Sequence, residues 1–446
     1  MRKILIGGLT GVAAFAMGAS AAYADGHCST TPSGMPEMPD LSGEVVTITG
    51  PWEGRDEELV NMVLSCFESA TGADVQYSGS GEFEQLIVTS IRAGNAPNVA
   101  IFPQPGLAAD MAAEGGLDAL GPDLAAWMTD NYGAGSSWVD LGTYADENGA
   151  DQFYAFAYKV DVKSLVWYSP EGFEDNGYEI PGTMEELVAL SDQMVADGLT
   201  PWCIGIESGG ATGWTATDWM EDVMLRTTSP ENYDAWVSND LPFNSPEVIN
   251  AMEVYGSISR NDDYVAGGAD AVASIFFGDS PNGLFTTPAQ CMMHRQATFI
   301  PSFFPNQGQE LADGEADFFY FPAFAEGDLG KPVLGAGTLW ASPNMTDATM
   351  ELFNYLTTPA AHEIWMAQSG FLTPHLGVDA SAYANDALRK QGEILANATT
   401  FRFDASDLMP GPIGAGAFWT EMTAFANGQD AQTTADNIQA AWDAIK

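Results

Sequence analysis

Two hydrophobic periods alternate along the chain. Val45-Val46-Thr47-Ile48-Thr49 is a β-branched run of the kind that forms a strand. Leu59, Val60, Val63, Leu64 and Phe67 then fall on one stripe of a helix that stops near Gly72. Ala73-Asp74-Val75-Gln76-Tyr77 predicts a short second strand, and Phe83, Leu86, Ile87 and Ile91 a second amphipathic helix ended by Gly94. Asn98-Val99-Ala100-Ile101-Phe102 has the apolar character of a buried strand. Strand, helix, strand, helix, strand in this order implies right-handed βαβ units and a mostly parallel sheet.

A second region of the same kind follows Phe153. Leu165-Val166-Trp167-Tyr168 predicts a strand. Thr183-Met184-Glu185-Glu186 has the form of a capping box, opening a helix through Leu187, Leu190 and Met194 that closes at Asp197-Gly198. Phe318-Phe319-Tyr320-Phe321-Pro322 predicts another strand, and Asp347 to Leu356 and Pro359 to Gln368 two further helices. The pattern is that of an α/β protein in two lobes.

The ends of the chain read differently. Arg2 and Lys3 precede a mostly apolar run from Ile4 to Met17, and Ala22-Tyr23-Ala24 puts small residues before a cleavage point. Residues 1–24 therefore read as a signal peptide, cut before Asp25. Asp25-Gly26-His27 ahead of Cys28 is not the apolar box of a lipoprotein, so no lipid anchor is expected. Residues 25–42, rich in Pro, Ser, Met and Gly, read as a loose leader.

Length and charge narrow the function. The 446 residues suit two or three domains. With 46% hydrophobic and 11% aromatic residues the chain is not a disordered one. It carries 61 acidic against 14 basic side chains, a formal net charge of −47. Without clustered Lys and Arg there is no counterion release to drive binding to a phosphate backbone, so nucleic acid is excluded as a main partner. Cys28, Cys66, Cys203 and Cys291 make an even count in an exported chain and predict two disulfides, with three connectivities open. They show no C-x-x-C spacing, and neither a metal nor a cofactor is expected.

Signatures of catalysis are missing from the sequence: no nucleophile elbow, phosphate loop or His-x-x-x-His is present. The stretch Asp146 to Asp151 lacks the alternating ligands of a calcium loop and reads as an acidic turn. Paired carboxylates leave an exported glycosidase as the main enzymatic alternative. The tryptophans say more. Pro51-Trp52-Glu53-Gly54, Gly213-Trp214-Thr215-Ala216-Thr217-Asp218-Trp219 and Gly416-Ala417-Phe418-Trp419 place Trp in polar or glycine-rich segments. A sugar offers an apolar C–H face and a rim of hydroxyls, so flat aromatic faces edged by carboxylates or amides suit it.

With these segments in view, the chain resembles the extracellular solute-binding proteins of carbohydrate ABC transporters, the family that contains maltose-binding protein. The likeness runs through most of the chain: Trp52; Phe67-Glu68-Ser69-Ala70-Thr71-Gly72; Gly94-Asn95-Ala96-Pro97-Asn98-Val99; Lys163 to Tyr168; and Pro181 to Leu187. Gly213 to Trp219, Met293-His294-Arg295-Gln296-Ala297-Thr298-Phe299 and Phe401-Arg402-Phe403-Asp404-Ala405-Ser406-Asp407 resemble the α-glucoside-binding branch.

The resemblance implies a periplasmic receptor, monomeric and not an enzyme, that closes two lobes around a sugar and delivers it to an ABC permease. Each lobe is expected to be a mostly parallel sheet flanked by helices. The expected partition is 43–157 plus 318–341 for the amino-terminal lobe and 158–317 plus 342–446 for the other. Hinge crossings would lie near Ala157-Tyr158, Phe318–Pro322 and Trp340–Pro343. Disulfides Cys28–Cys66 and Cys203–Cys291 would then sit within lobes and leave the hinge free. The implied ligand contacts are stacking by Trp52, Trp214 and Trp419, and hydroxyl bonding by Glu53, Gln104, Glu207, Asp218 and Gln296, with Arg295 and Asp407 nearby. The loop after Phe102 lacks the Trp, Asp and Arg of maltose-binding protein, which argues against maltodextrin itself. Competing readings are a core ion pair for Arg295, a helix cap for Asp218, turn roles for Asp404 and Asp407, and salt bridges near the hinge for Lys159 and Lys163. A receptor of the same fold for a polyol or compatible solute is the alternative function.

Overall fold

At the centre of the first sheet, β1 (Val45–Gly50) pairs in parallel with β2 (Asp74–Gly79) on one side and β3 (Val99–Phe102) on the other. The helices Gly54–Thr71 and Phe83–Arg92 make the two crossovers, as the hydrophobic stripes predict. Gly72 ends the first of them at φ 78°, a left-handed position that suits glycine, and its N–H bonds back to Glu68. These coordinates are a computed structural model and describe residues 27–445 apart from Ala134, Asp328 and Ser369. The expected signal peptide lies outside the described residues.

A hairpin of β4 (Thr143–Ala145) and β5 (Asp151–Phe153) follows, closed by Asp146, whose Oδ1 accepts the backbone N–H groups of Asn148 and Ala150, each at 2.8 Å. The long strand β6 (Ala155–Val162) then leads into a second sheet. There β7 (Leu165–Tyr168) is flanked by β8 (Met293–Arg295) and β9 (Asp317–Tyr320). Finally β10 (Pro332–Ala341) runs back antiparallel to β6 and, at its end, to β3, and β11 (Thr400–Phe403) joins its start in parallel.

The two-lobed α/β expectation holds, with one difference in pairing. The second sheet is antiparallel, not parallel, on both sides of β7. Its strands are separated by long helical excursions, so their direction is set by tertiary packing and leaves no local trace in sequence.

Two main hydrophobic cores form. The first holds Val46, Val60, Phe67, Phe102 and Tyr158 together with Trp340, Leu352, Tyr355 and Trp365. The second holds Val166, Leu187, Trp219, Tyr255 and Phe321 together with Ala405, Phe418 and Ile438. These clusters group some segments differently from the expected partition. Phe319 and Phe321 belong with the second core, and Ala348 to Met366 and Phe371 with the first, because the helix Pro359–Met366 packs on Gly54–Thr71 and the helix Asp347–Leu356 on β1. Tyr355 shows the fit: its ring lies 5.6 Å from that of Phe67 and its hydroxyl donates to the Val63 carbonyl at 3.1 Å. The chain therefore passes between cores along β6, along β10 and again between Phe371 and Ala405. Of the expected crossings, Ala157-Tyr158 and Trp340 lie on the paired strands β6 and β10, whose register shifts between Thr338 and Leu339, whereas Phe318–Tyr320 lies inside the second sheet.

Both disulfides pair as expected, Cys28 with Cys66 and Cys203 with Cys291. The first helps to correct another expectation. The leader at 27–42 has no regular structure but is tied down: Leu41 N–H bonds the Thr71 carbonyl at 2.7 Å, and Ser33 bonds the buried Glu363 carboxylate through its N–H at 2.9 Å and its hydroxyl at 2.5 Å. A covalent tie and a buried carboxylate outweigh the loose composition of the segment.

Candidate functional site

The helix Trp214–Thr227 organises the junction between the cores. Its start is set by Gly213 at φ 110°, where a side chain would meet the Trp419 carbonyl, so the backbone of Trp419 can seat directly on the helix entry. Trp214 is half-buried, with the Phe277 ring at 4.9 Å, the Phe299 ring at 6.0 Å and the Lys163 ammonium 5.5 Å from its ring centre. Flanked in this way, the indole is held in one orientation while part of it stays open to solvent.

One helical turn on, Asp218 is 1% exposed and its Oδ1 accepts from Lys163 at 2.8 Å. Lys163, from the turn between β6 and β7, also bonds Asp404. Desolvation works against the Lys163 charge, but Asp218 and Asp404 outweigh it and hold its pKa above the ordinary lysine value. Burial, reinforced by Asp404, pushes the Asp218 carboxyl well above the usual carboxylate range despite Lys163. Asp407 is pushed in the same direction by burial and by Asp404, with Glu84 of the first lobe adding to the effect. The carboxylates therefore compete for too little positive charge.

Deeper on the same helix, Glu221 accepts the Ser406 N–H at 3.0 Å. Asp222 accepts from Ser164 at 2.7 Å, from Arg295 at 2.7 Å and from Arg226. Arg295 is 2% exposed and stacks near Trp219 and Phe321, so it sits behind the site as a core ion pair. Gln296 is equally buried; its carbonyl accepts from Trp167 and its side chain from the Ala297 N–H. Its neighbour His294 is core as well, and burial depresses its pKa to about 4.

The first lobe reaches this junction through Gln104, which precedes the helix Pro105–Ala113. That helix packs on the Asp404–Met409 turn so closely that a side chain at Gly106 would lie 2.9 Å from the Met409 carbonyl and 3.1 Å from that of Asp407. Glu207 is half-buried, accepts the Gly209 N–H at 2.7 Å and is bridged through its backbone to Phe276, next to Phe277. Gln104, Glu207, Trp214, Asp218, Asp407 and Trp419 thus belong to one region. Among the described residues Gln104 Oε1, Asp218 Oδ2 and Trp419 Nε1 are enclosed without a hydrogen-bond partner.

Trp52 and Glu53 follow β1, which pairs with β3 ahead of the Gln104 loop. Trp52 is 7% exposed and packs against Trp365 at 5.1 Å, Trp340 at 6.2 Å and Tyr77 at 6.5 Å, as a core residue does. Glu53 is exposed at the start of Gly54–Thr71. Phe277 was not legible as a site residue, although a Phe-Phe pair in a Gly- and Ser-containing loop was available as a signal. Glu221 could have been found from its spacing of three residues after Asp218.

Comparison with known proteins agrees with this architecture. Residues 52–363 match the family described as bacterial extracellular solute-binding protein. The chain is 56% identical, over 91% of its length and 89% of the relative's, to the alpha-glucosides-binding periplasmic protein AglE of Rhizobium meliloti. It is 43% identical, over 90% of its length and 93% of the relative's, to the osmoprotective compounds-binding protein GgtB of Synechocystis. Among solved structures, the bacterial solute receptor AcbH superposes with a TM-score of 0.75 at 16% identity, covering 91% of this chain and all of that one. RafE from Streptococcus pneumoniae, in its apo form, superposes with a TM-score of 0.71 at 17% identity, covering 91% of this chain and 99% of that one. These two likenesses concern the fold. Matched over more than half its length and 56% identical over 408 residues to a periplasmic binding protein, the chain belongs to the bacterial extracellular solute-binding proteins, a family of binding proteins rather than enzymes.

Proposed function

We propose that this protein is a periplasmic receptor that captures an α-glucoside at the junction of its two lobes and hands it to an ABC permease. The observation that carries the reading is the half-open Trp214 surface held beside Asp218, Asp407, Glu207 and Gln104. The indole offers a stacking face for the C–H side of a glucose ring, and the polar groups around it suit hydroxyls. Trp419 supplies a second ring with an unpartnered N–H. Gln104 comes from the first lobe and the other contacts from the second, so a bound sugar favours the arrangement in which the lobes approach. The strands β6 and β10, with Phe371–Ala405, are the segments about which they would turn. One chain is the working unit, and no nucleic acid is involved.

The ligand class is supported by the relative that is 56% identical over 408 residues and is named for α-glucosides. A compatible solute is the second reading, favoured by the relative at 43% identity that is named for osmoprotective compounds. Calorimetric titration of the mature protein with trehalose, sucrose, maltose, isomaltose and glycerol-type polyols separates the two. Stabilisation by a ligand at a hundredfold excess over Kd is about 2.7 kcal/mol, readily seen as a thermal shift. Binding of an α-linked disaccharide supports the first reading. Binding of polyols alone overturns it in favour of the second, and hydrolysis of the sugar overturns both.

A further inference from the structure

Asp218, Glu221 and Asp404 each offer a carboxylate oxygen, and the three oxygens all lie within 4.8 Å of one another. Their exposures are 1%, 0% and 2%. Three buried carboxylates meet a single ammonium, that of Lys163, which bonds Asp218 Oδ1 and Asp404 Oδ2. The neighbouring Arg226 and Arg295 both bond Asp222 and leave one positive charge over, but the buried Asp407 beside Asp404 and Lys163 offsets it, so the imbalance persists. Independently of the clustering, two oxygens in this nest have no partner among the described residues, Asp218 Oδ2 and Glu221 Oε2. A buried carboxylate oxygen without a donor is costly, and a site with two of them calls for a cation.

We infer that Asp218, Glu221 and Asp404 form a buried site for one hard divalent cation of the calcium type, beside the sugar site and behind it. Charge supports the stoichiometry, since the carboxylates of Asp218, Glu221, Asp222, Asp404 and Asp407, the cations of Lys163, Arg226 and Arg295 and one divalent ion sum to zero. The donor set is all oxygen, the preference of hard cations, and it includes two hydroxyls. Ser406 Oγ lies 3.4 Å from Asp404 Oδ1, and Thr217 Oγ1 lies 3.3 Å from Ser406 Oγ. Calcium accepts such irregular oxygen sets, whereas magnesium demands near-ideal octahedral geometry and keeps its waters. The ion ties Asp218 and Glu221 on the helix Trp214–Thr227 to Asp404 on the turn that packs against Gly106. It therefore stiffens the face on which the first lobe closes.

The test uses the mature chain, stripped with chelator and kept without sugar in about 0.15 M sodium chloride to screen the general acidity of the surface. Equilibrium dialysis with calcium chloride should find one ion retained per chain. Thermal unfolding should rise by several degrees with calcium and less with equimolar magnesium. Glu221→Gln should weaken calcium binding roughly tenfold or more, while Asp386→Asn, at an exposed helix start, leaves it unchanged. No retained calcium in the wild-type chain overturns the inference, as does an equal calcium shift in Glu221→Gln. Should Glu221→Gln fail to fold, terbium luminescence of the wild-type chain decides. Tryptophan-sensitised emission that saturates at one terbium per chain and is suppressed by excess calcium supports the site, and emission that excess calcium leaves unchanged overturns it. Sugar titration is a separate arm, so failure of the cation site leaves the receptor reading standing.

Discussion

Lys163 holds its ammonium 5.5 Å from the centre of the Trp214 ring while donating to Asp218 at 2.8 Å. One buried cation thereby connects the open stacking surface to the carboxylates behind it. Removing a single partner from a buried ionic network leaves charge uncompensated and typically costs about 3–5 kcal/mol. Lys163→Met is expected to lose stability of that order in urea unfolding and to bind sugar more weakly. A variant as stable as the parent would show that Lys163 does not hold this junction together.

Trp214 and Trp52 should separate by experiment. Trp214 is half-open, so Trp214→Ala is expected to fold and to lose about tenfold or more in sugar affinity, equivalent to about 1.4 kcal/mol. Trp52 is wrapped by Trp340, Trp365 and Tyr77, so Trp52→Ala is expected to cost about 3–5 kcal/mol of stability and leave the affinity of the folded fraction near that of the parent. Calorimetry and urea unfolding on both variants check this; the reverse pattern would place the stacking face on Trp52.

The disulfide between Cys203 and Cys291 closes a long loop, with a sequence separation of 88, inside the second lobe. Replacing both cysteines by serine is expected to cost about 4–5 kcal/mol, through the freedom returned to the unfolded chain. The bridge does not span the lobes, so sugar affinity at a temperature where the variant is folded should be unchanged. Denaturant unfolding and calorimetry on the same preparation test both halves.

His362 and His375 make the fold sensitive to acid. His362 Nε2 donates to the Leu356 carbonyl at 2.9 Å and Nδ1 accepts from Thr373 at 2.8 Å. His375 Nε2 donates to the Thr357 carbonyl at 3.0 Å and Nδ1 accepts the Gly377 N–H at 2.9 Å. Both are neutral rings, with Tyr132 packed against each, and a second proton would face a donor. Burial depresses both pKa values from the ordinary 6.5; the neighbouring His375 adds to the effect on His362, while Glu363 partly opposes it on His375. Their contribution is therefore complete above the ordinary imidazole value and is lost as pH falls below it, where the unfolded chain takes up protons that the folded chain refuses. The raised carboxyls Asp218 and Asp407 act in the opposite sense, so the comparison is with a variant. His362→Gln/His375→Gln should show a smaller fall in thermal midpoint between about pH 7 and pH 5 than the parent. An equal fall in both would assign the acid sensitivity elsewhere.

The sequence alone was enough for elements whose signal is local. The βαβ start, the capped helix at Met184–Ala196, the helix Asp347–Leu356 and the strand Leu165–Tyr168 follow from periodicity and capping chemistry, because a stripe of apolar residues or a Thr-x-x-Glu pattern acts within a turn or two of chain. Even the disulfide count was legible. Tertiary structure decided what depends on partners distant in sequence. The antiparallel order around β7, the grouping of Ala348 to Met366 with the first core, and the anchoring of the leader by Cys66 and Glu363 all rest on such contacts. The site divides along the same line. Tryptophan beside carboxylate in Trp214 to Asp218 could be read from the chain, but exposure could not. Trp52 and Arg295 carry the right chemistry and are spent on packing and on Asp222, while Lys163 and Asp404 meet across 241 residues. Residue type states what a side chain can do; burial and the partner brought to it by the fold determine what it does.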